Sequence, residues 1–275
     1  MKKYLPYFKQ KLQDEFNHFK LYKNKTGVGF AEYCRLKFQN DNRKTSLFNK
    51  NIQVPDAFWH LHSLNEIFIE ETYKFKTKTP RPLIIDCGSN VGLSIIYFKM
   101  NHPTARIIGF EPDPAIFKML QNNLGQFDFS YLELVNKAVW ISEGELIFNS
   151  FGALSGAINF KQKSSKESKT VVATVRLKDY LKEGQKVDFL KMDIEGAEFE
   201  IVNDCLEELK NVDKIFIEYH RLNGDQNLLG EFIGKLEKAG FRIYIKEAWN
   251  NLPHPYCNQD YNPMYDLQLN IFGYR

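Results

Sequence analysis

The sequence predicts an α/β fold: a doubly wound, mostly parallel seven-stranded sheet, closed by an antiparallel C-terminal hairpin and preceded by a helical N-terminal extension. Three observations carry this expectation. From residue 83 onward, short apolar runs alternate with helix-periodic segments, the pattern of right-handed βαβ crossovers. The first run leads into Asp86-Cys87-Gly88-Ser89-Asn90-Val91-Gly92, an acid followed by two glycines four apart. The last two apolar runs, 241–245 and 267–272, are joined by a loop without helical periodicity, which suits antiparallel strands at one sheet edge.

The elements follow in order. Phe8, Leu12, Phe16 and Phe19 recur at helical spacing, and Ile67, Phe68, Glu70 and Glu71 mark a second such segment. Residues 1–78 therefore read as a mainly helical extension and 79–275 as the sheet domain. Pro80 and Pro82 oppose helix at the junction. Strands are expected at 83–86, 106–111, within 131–139, at 187–193 and at 214–219. Helices are expected at 93–101, 115–124, 197–209 and 227–238, the last ended by Gly240. Segments 145–148 and 170–175 read as strands of an insertion, and 178–181 as a short helix. Between them, 161–170 is rich in Ser and Lys and reads as a mobile loop.

The turn after the first strand points to a ligand. Gly88 allows a tight turn, Gly92 allows the next helix to approach the strand, and Asp86 stands at the strand end. This D-x-G-x-x-x-G spacing differs from the dinucleotide G-x-G-x-x-G. A pyrophosphate needs a helix N-terminus free of carboxylates. S-adenosylmethionine, with its ammonium and sulfonium, tolerates an acid there. Glu111 ends the second strand 19 residues after Gly92, where a carboxylate can accept both ribose hydroxyls.

Composition narrows the setting. The chain has 275 residues and a net charge of +3. Residues 1–50 hold 12 basic and 4 acidic side chains, so the other 25 basic and 30 acidic residues leave the remainder at −5. A basic N-terminal segment suits a solvated helical face, and also peripheral contact with a membrane surface or an acidic partner. No apolar stretch approaches a membrane span. The four cysteines are dispersed without C-x-x-C pairs, which points away from disulfides and zinc and toward a reduced, cytoplasmic setting.

Three segments together resemble the FkbM-type methyltransferases: 84–92, Gly109-Phe110-Glu111-Pro112-Asp113-Pro114, and Leu190-Lys191-Met192-Asp193-Ile194-Glu195-Gly196-Ala197-Glu198. Asn136-Lys137-Ala138-Val139 and Ile217-Glu218-Tyr219-His220 fit the same pattern. Leu177-Lys178-Asp179 departs from the Leu-Asp-Asp common before strand four, so the resemblance carries over no role for the first Asp. The resemblance spans about residues 82–245 and implies a Rossmann-like methyltransferase fold. It also implies methyl transfer from S-adenosylmethionine to a hydroxyl oxygen of a sugar, glycan or small natural product. The implied cofactor site comprises Asp86, Gly88, Ser89, Asn90, Gly92, Glu111, Pro112, Asp113, Ala138 and Asp193. Residues 1–75 match none of the family's motifs.

Ligands of open parallel sheets sit at the carboxyl ends of the strands, which gathers Asp86, Glu111, Asp193 and His220 around one crevice. Methyl transfer to an aliphatic hydroxyl needs the oxygen positioned and its proton removed. His220 is the preferred base. Asp193 and Glu195 are candidates for the same task, for binding the acceptor, or for holding a divalent ion with His220. Glu198 reads as a structural acid at a helix N-terminus. Trp249, His254, Tyr256 and Tyr261 could wall a sugar site. Asn262-Pro263-Met264-Tyr265 resembles the N-P-P-Y signature of nucleic-acid amino methyltransferases, but lies in the closing hairpin rather than after strand four, so a nucleic-acid acceptor is not expected. Two other classes compete: a catalytically silent cofactor-binding partner, which the Asp193, Glu195 and His220 set opposes, and an NAD-linked oxidoreductase, which the missing G-x-G-x-x-G opposes.

Overall fold

The computed structural model describes residues 17, 19–38, 44–150, 156–158, 168–182, 184–257 and 263–275. Phe8, Leu12 and Phe16 of the aromatic stripe, 161–167 of the polar loop, and Tyr261 and Asn262 lie outside them.

The N-terminal part begins with a helix over 19–26 (α1) and α2 (Phe30–Phe38). A hairpin that the sequence reading did not contain follows, β1 (Lys44–Leu47) and β2 (Lys50–Gln53). Its turn residues Phe48 and Asn49 both take left-handed φ values of 50° and 62°. Asn-Gly or Gly-Gly usually announces such a turn, so its chemistry is hidden here. Then come α3 (Ala57–Leu64), capped by Asp56, and one π-helical turn (Asn65–Ile69). Tyr22, Leu47, Ile52, Leu64, Ile67 and Phe68 share one buried cluster with Ile95, Ile96, Phe98 and Ile107 of the sheet region. The N-terminal segment thus packs on one face of the sheet.

The main sheet contains β3 (Leu83–Cys87), β4 (Arg106–Phe110), β5 (Leu132–Val135), β10 (Phe189–Met192), β11 (Lys214–Leu222), β12 (Arg242–Trp249) and β13 (Tyr265–Tyr274). Its order is β12-β13-β11-β10-β3-β4-β5. The β10–β3–β4–β5 and β10–β11 pairings are parallel, and β13 runs antiparallel between β11 and β12. This is the expected seven-stranded, mostly parallel architecture with its closing hairpin. β3 and β10 are buried throughout, as central strands of a doubly covered sheet must be. The helices α4 (Leu93–Asn101), α5 (Pro114–Leu124), α6 (Glu198–Asp204) and α7 (Leu229–Lys238) complete the crossovers.

Several boundaries differ from expectation. The run 131–139 breaks at Asn136-Lys137, and Ala138–Trp140 becomes β6 of a separate sheet with β7 (Gly144–Ser150), β8 (Gly156–Ile158) and β9 (Ser168–Arg176). The expected helix 197–209 stops at Asp204 and resumes as a 3₁₀ turn over Glu208–Asn211. β11 runs three residues past Tyr219, because β13 pairs with it as far as Leu222. His220 therefore sits within a strand rather than after one. Among the described residues, no helix is long and apolar enough to cross a membrane.

Candidate active site

The loop after β3 is built by unusual backbone. Gly88, Asn90 and Gly92 have φ values of 85°, 46° and 94°. A Cβ on Gly88 would stand 1.9 Å from the Asp193 carbonyl oxygen, so the loop lies directly against the end of β10. Gly88 and Ser89 N–H groups donate to the Phe110 carbonyl at 3.1 and 2.8 Å. Glu111, just past β4, accepts from Asn90 N–H and Asp113 N–H, each at 2.9 Å. Burial pushes its carboxyl up to about 7, against the pull of those two N–H groups.

Asp86 and Lys191 form the hidden support. Asp86 is fully buried and accepts from Ser94 Oγ at 2.6 Å. Lys191, on β10 and 3% exposed, lies 3.4 Å from Asp86, 3.3 Å from Asp193 and 2.8 Å from the Gly88 carbonyl it donates to. Burial opposes its charge, but Asp193 and Asp86 outweigh it and hold the ammonium protonated.

A cavity of about 400 Å³ opens beside this loop. Gly88, Ser89, Asn90, Asp193, Glu195 and His220 line it, as the sequence led us to expect. The remaining candidates do not form its wall. Asp86 is enclosed beneath the loop because its strand is covered on both faces. Asp113 caps α5, accepting from Ala115 and Ile116 N–H at 2.8 and 3.2 Å. Glu111 and Pro112 lie at the β4 side, where Asn136 Nδ2 donates to both carbonyls at 2.8 and 3.1 Å. Gly92 starts α4, where a Cβ would meet Leu120 at 2.8 Å. Ala138 is buried on β6.

His220 is ringed by acids. Its Nδ1 stands 3.2 Å from Glu198, and its Nε2 lies 3.5 Å from Glu195 and 3.4 Å from Glu218. Burial disfavours a charged imidazole, yet Glu195, Glu198 and Glu218 outweigh it and raise His220 well above the ordinary histidine range. The acids around the ring favour its imidazolium form. Glu198 also accepts from Ile194 and Gly196 N–H at 3.3 and 3.1 Å. It thereby ties the loop after β10 to the His220 ring. Glu195 takes a left-handed φ of 62° and accepts from Tyr265 Oη at 2.9 Å. Burial and the nearby Asp193 and Glu218 push its carboxyl up to about 8, with His220 opposing. Ligand atoms of Asp193, Glu195 and His220 all lie within 4.8 Å of one another, a spacing that can hold a cation.

The cavity has walls that the motifs did not announce. Trp59, His62, Glu66 and Tyr73 come from the N-terminal segment, and Glu218, Trp249 and Tyr265 from β11 to β13. Glu66 accepts from Asn270 Nδ2 at 3.1 Å, and burial with Glu218 and Asp193 nearby pushes its carboxyl up to about 8. The π-helical turn beneath it is the one local sign, since such turns cluster at functional sites. His254 and Tyr256 do not line the cavity, and Tyr256 is exposed.

The sequence profile of the methyltransferase FkbM domain matches residues 86–243. The chain belongs to the FkbM methyltransferase family. Its methyl donor is S-adenosylmethionine. A cavity lined by Asp193, Glu195 and Glu218 suits a sulfonium and an ammonium, and would repel a pyrophosphate. The chain is similar to methyltransferase sdnD of Sordaria araneosa, 29% identical over 175 residues that cover 52% of this chain and 68% of the relative. It is 29% identical to the 2-O-methyltransferase NoeI of Sinorhizobium fredii, over 51% of this chain and 64% of the relative. It is 26% identical to the hexuronic acid methyltransferase AglP of Haloferax volcanii, over 49% of this chain and 54% of the relative. The chain thus spans less than two thirds of the length of the last two.

Proposed function

We propose that this FkbM methyltransferase methylates a hydroxyl oxygen of a sugar, glycan or small hydroxylated product. The observation that carries the reading is the convergence of Asp193, Glu195 and His220 at one end of the cavity, with ligand atoms within 4.8 Å of one another. The names of two relatives support it, one a 2-O-methyltransferase and the other a hexuronic acid methyltransferase. S-adenosylmethionine, when bound, supplies an electrophilic methyl carbon on a sulfonium leaving group. The chain then has two tasks, positioning the oxygen and receiving its proton. The Gly88–Gly92 loop and Glu111 hold the donor, with Glu111 accepting the ribose hydroxyls. Asp193 and Glu195 accept a hydrogen bond from the acceptor hydroxyl. The hydroxyl proton passes into the Asp193–Glu195–His220 cluster as the new C–O bond forms. His220, kept as an imidazolium, steadies the carboxylates around it.

A second reading assigns the same three side chains to a divalent cation, and their mutual spacing favours it. Such an ion would supply Lewis-acid polarisation of the hydroxyl. We place the imidazolium reading first, because His220 is matched by Glu195, Glu198 and Glu218, and Asp193 by Lys191. Transfer of labelled methyl to a panel of glycosides, small alcohols, amines and carbon acceptors tests the function. Label appearing only on amine or carbon acceptors would overturn it.

A further inference from the structure

The acceptor side of the cavity lies largely outside the segment that defines the family. α3 and the π-helical turn precede residue 86, yet they contribute Trp59, His62 and Glu66 to the wall. Trp59 and His62 are three residues apart on α3 and so share a face. Across the mouth stands Trp249, beside a register shift in the β12–β13 pairing between Glu247 and Trp249. Such a bulge re-aims a side chain. The Trp59 and Trp249 rings are 5.6 Å apart at 51°, and His62 and Trp249 are 5.2 Å apart at 64°. Trp249 lines the cavity and keeps 39% of its surface exposed, so this cluster is not sealed. Beyond them the cavity wall carries four carboxyl groups, those of Glu66, Glu218, Asp193 and Glu195.

We propose that Trp59, His62 and Trp249 form the specificity-determining clamp for the acceptor, which is an uncharged pyranose ring. The assignment rests on the O-methyltransfer reading and deepens it. One face of a pyranose presents C–H groups and suits an indole ring, which buries a large apolar area while remaining rigid. Its ring edge presents several hydroxyls, which can pair with the four carboxyl groups beyond the clamp. An apolar alcohol would offer those carboxyl groups a single hydroxyl where a pyranose offers several, and sites built around hydroxyls discriminate against such ligands. The N-terminal segment thereby chooses the acceptor, while the loop after β3 grips the donor.

The test uses the full chain with labelled S-adenosylmethionine. Methyl glycosides of neutral hexopyranoses are compared with cyclohexanol and phenol as acceptors. Methyl transfer to at least one glycoside, with KM raised tenfold or more in Trp59→Ala and Trp249→Ala, is the expected result. Their affinity for S-adenosylmethionine should equal that of the wild type, which also shows that the variants are folded. Trp249→Phe should recover most of the loss, because a stacking face is restored. Unchanged glycoside KM in both alanine variants overturns the clamp. Transfer to cyclohexanol or phenol in preference to every glycoside, or to none of the acceptors by an enzyme that binds the donor, overturns the pyranose assignment. Failure of the wild type to bind S-adenosylmethionine would instead strike the methyltransferase reading itself.

Discussion

Lys191 donates to the Gly88 carbonyl at 2.8 Å while its ammonium faces Asp86 at 3.4 Å. One buried cation therefore ties the donor loop to the central strand and neutralises the acid beneath it. Lys191→Met removes the cation and leaves Asp86 buried and uncompensated. Loss of one partner of a buried pair costs about 3–5 kcal/mol. Denaturant unfolding should show a loss of that size, and Lys191→Met with Asp86→Asn should recover part of it. Full wild-type stability in the single variant would refute the pairing.

Glu111 should make donor binding depend on pH. Its carboxyl is pushed from 4.5 up to about 7 by burial, whereas ribose hydroxyls donate to the ionised form. Affinity should therefore rise as pH climbs through about 7 and level off above it, with a proton released on binding below that point. The same shift acts on stability with the opposite sense. A raised carboxyl favours the folded state below 4.5, and that contribution is lost as pH rises through about 7. Calorimetry in buffers of different ionisation enthalpy measures the proton. Glu111→Ala should weaken donor binding by about 1.5–3 kcal/mol, and Glu111→Gln should erase the pH dependence. A flat wild-type profile would remove Glu111 from the ribose.

His220→Ala should lower turnover by roughly 10²–10⁴-fold, because it breaks up the Asp193–Glu195–His220 cluster that receives the hydroxyl proton. Donor affinity should change little, because the ring faces Glu195, Glu198 and Glu218 rather than the loop after β3. Single-turnover transfer at saturating donor reads the chemical step. Wild-type speed there would shift the role to Asp193 and Glu195.

Chelation separates the imidazolium from a cation at the same three side chains. With His220 already charged, turnover should survive dialysis against EDTA. Loss of activity restored by magnesium or manganese would transfer the role to an ion held by Asp193, Glu195 and His220.

Asp113→Ala should leave donor affinity intact and lower stability by about 0.5–2 kcal/mol, the cost of a lost helix cap. Its carboxylate accepts from the first turn of α5. Thermal unfolding paired with a donor titration distinguishes this from a binding role, for which affinity would fall and stability would hold.

The loop after β3 was legible in the sequence because its parts are local. Strand, acid, glycine and helix follow one another within 83–101, and Glu111 repeats the strand-end position. Glu195 and His220 were legible as residue types, but the acid surroundings that favour a charged His220 were not. That charge depends on Glu198 and Glu218 closing around the ring, which only the folded geometry brings about. The acceptor half was hidden for a different reason. Trp59 and Trp249 meet 5.6 Å apart through the packing of α3 against the far edge of the sheet, and no spacing along the chain encodes that approach. The β1–β2 hairpin escaped because Phe48 and Asn49 make its left-handed turn without glycine.

The missing side chain at position 88 couples two things usually engineered separately. With the Asp193 carbonyl oxygen 1.9 Å from where a Cβ would stand, the backbone proposed to cradle the donor and the backbone that presents the acidic pair are in direct abutment. Neither can be repositioned alone. Any residue larger than glycine would drive the two strand ends apart, so donor grip and proton removal would decline together. Attempts to broaden cofactor use in this chain would therefore meet a hard stop at the seam between β3 and β10.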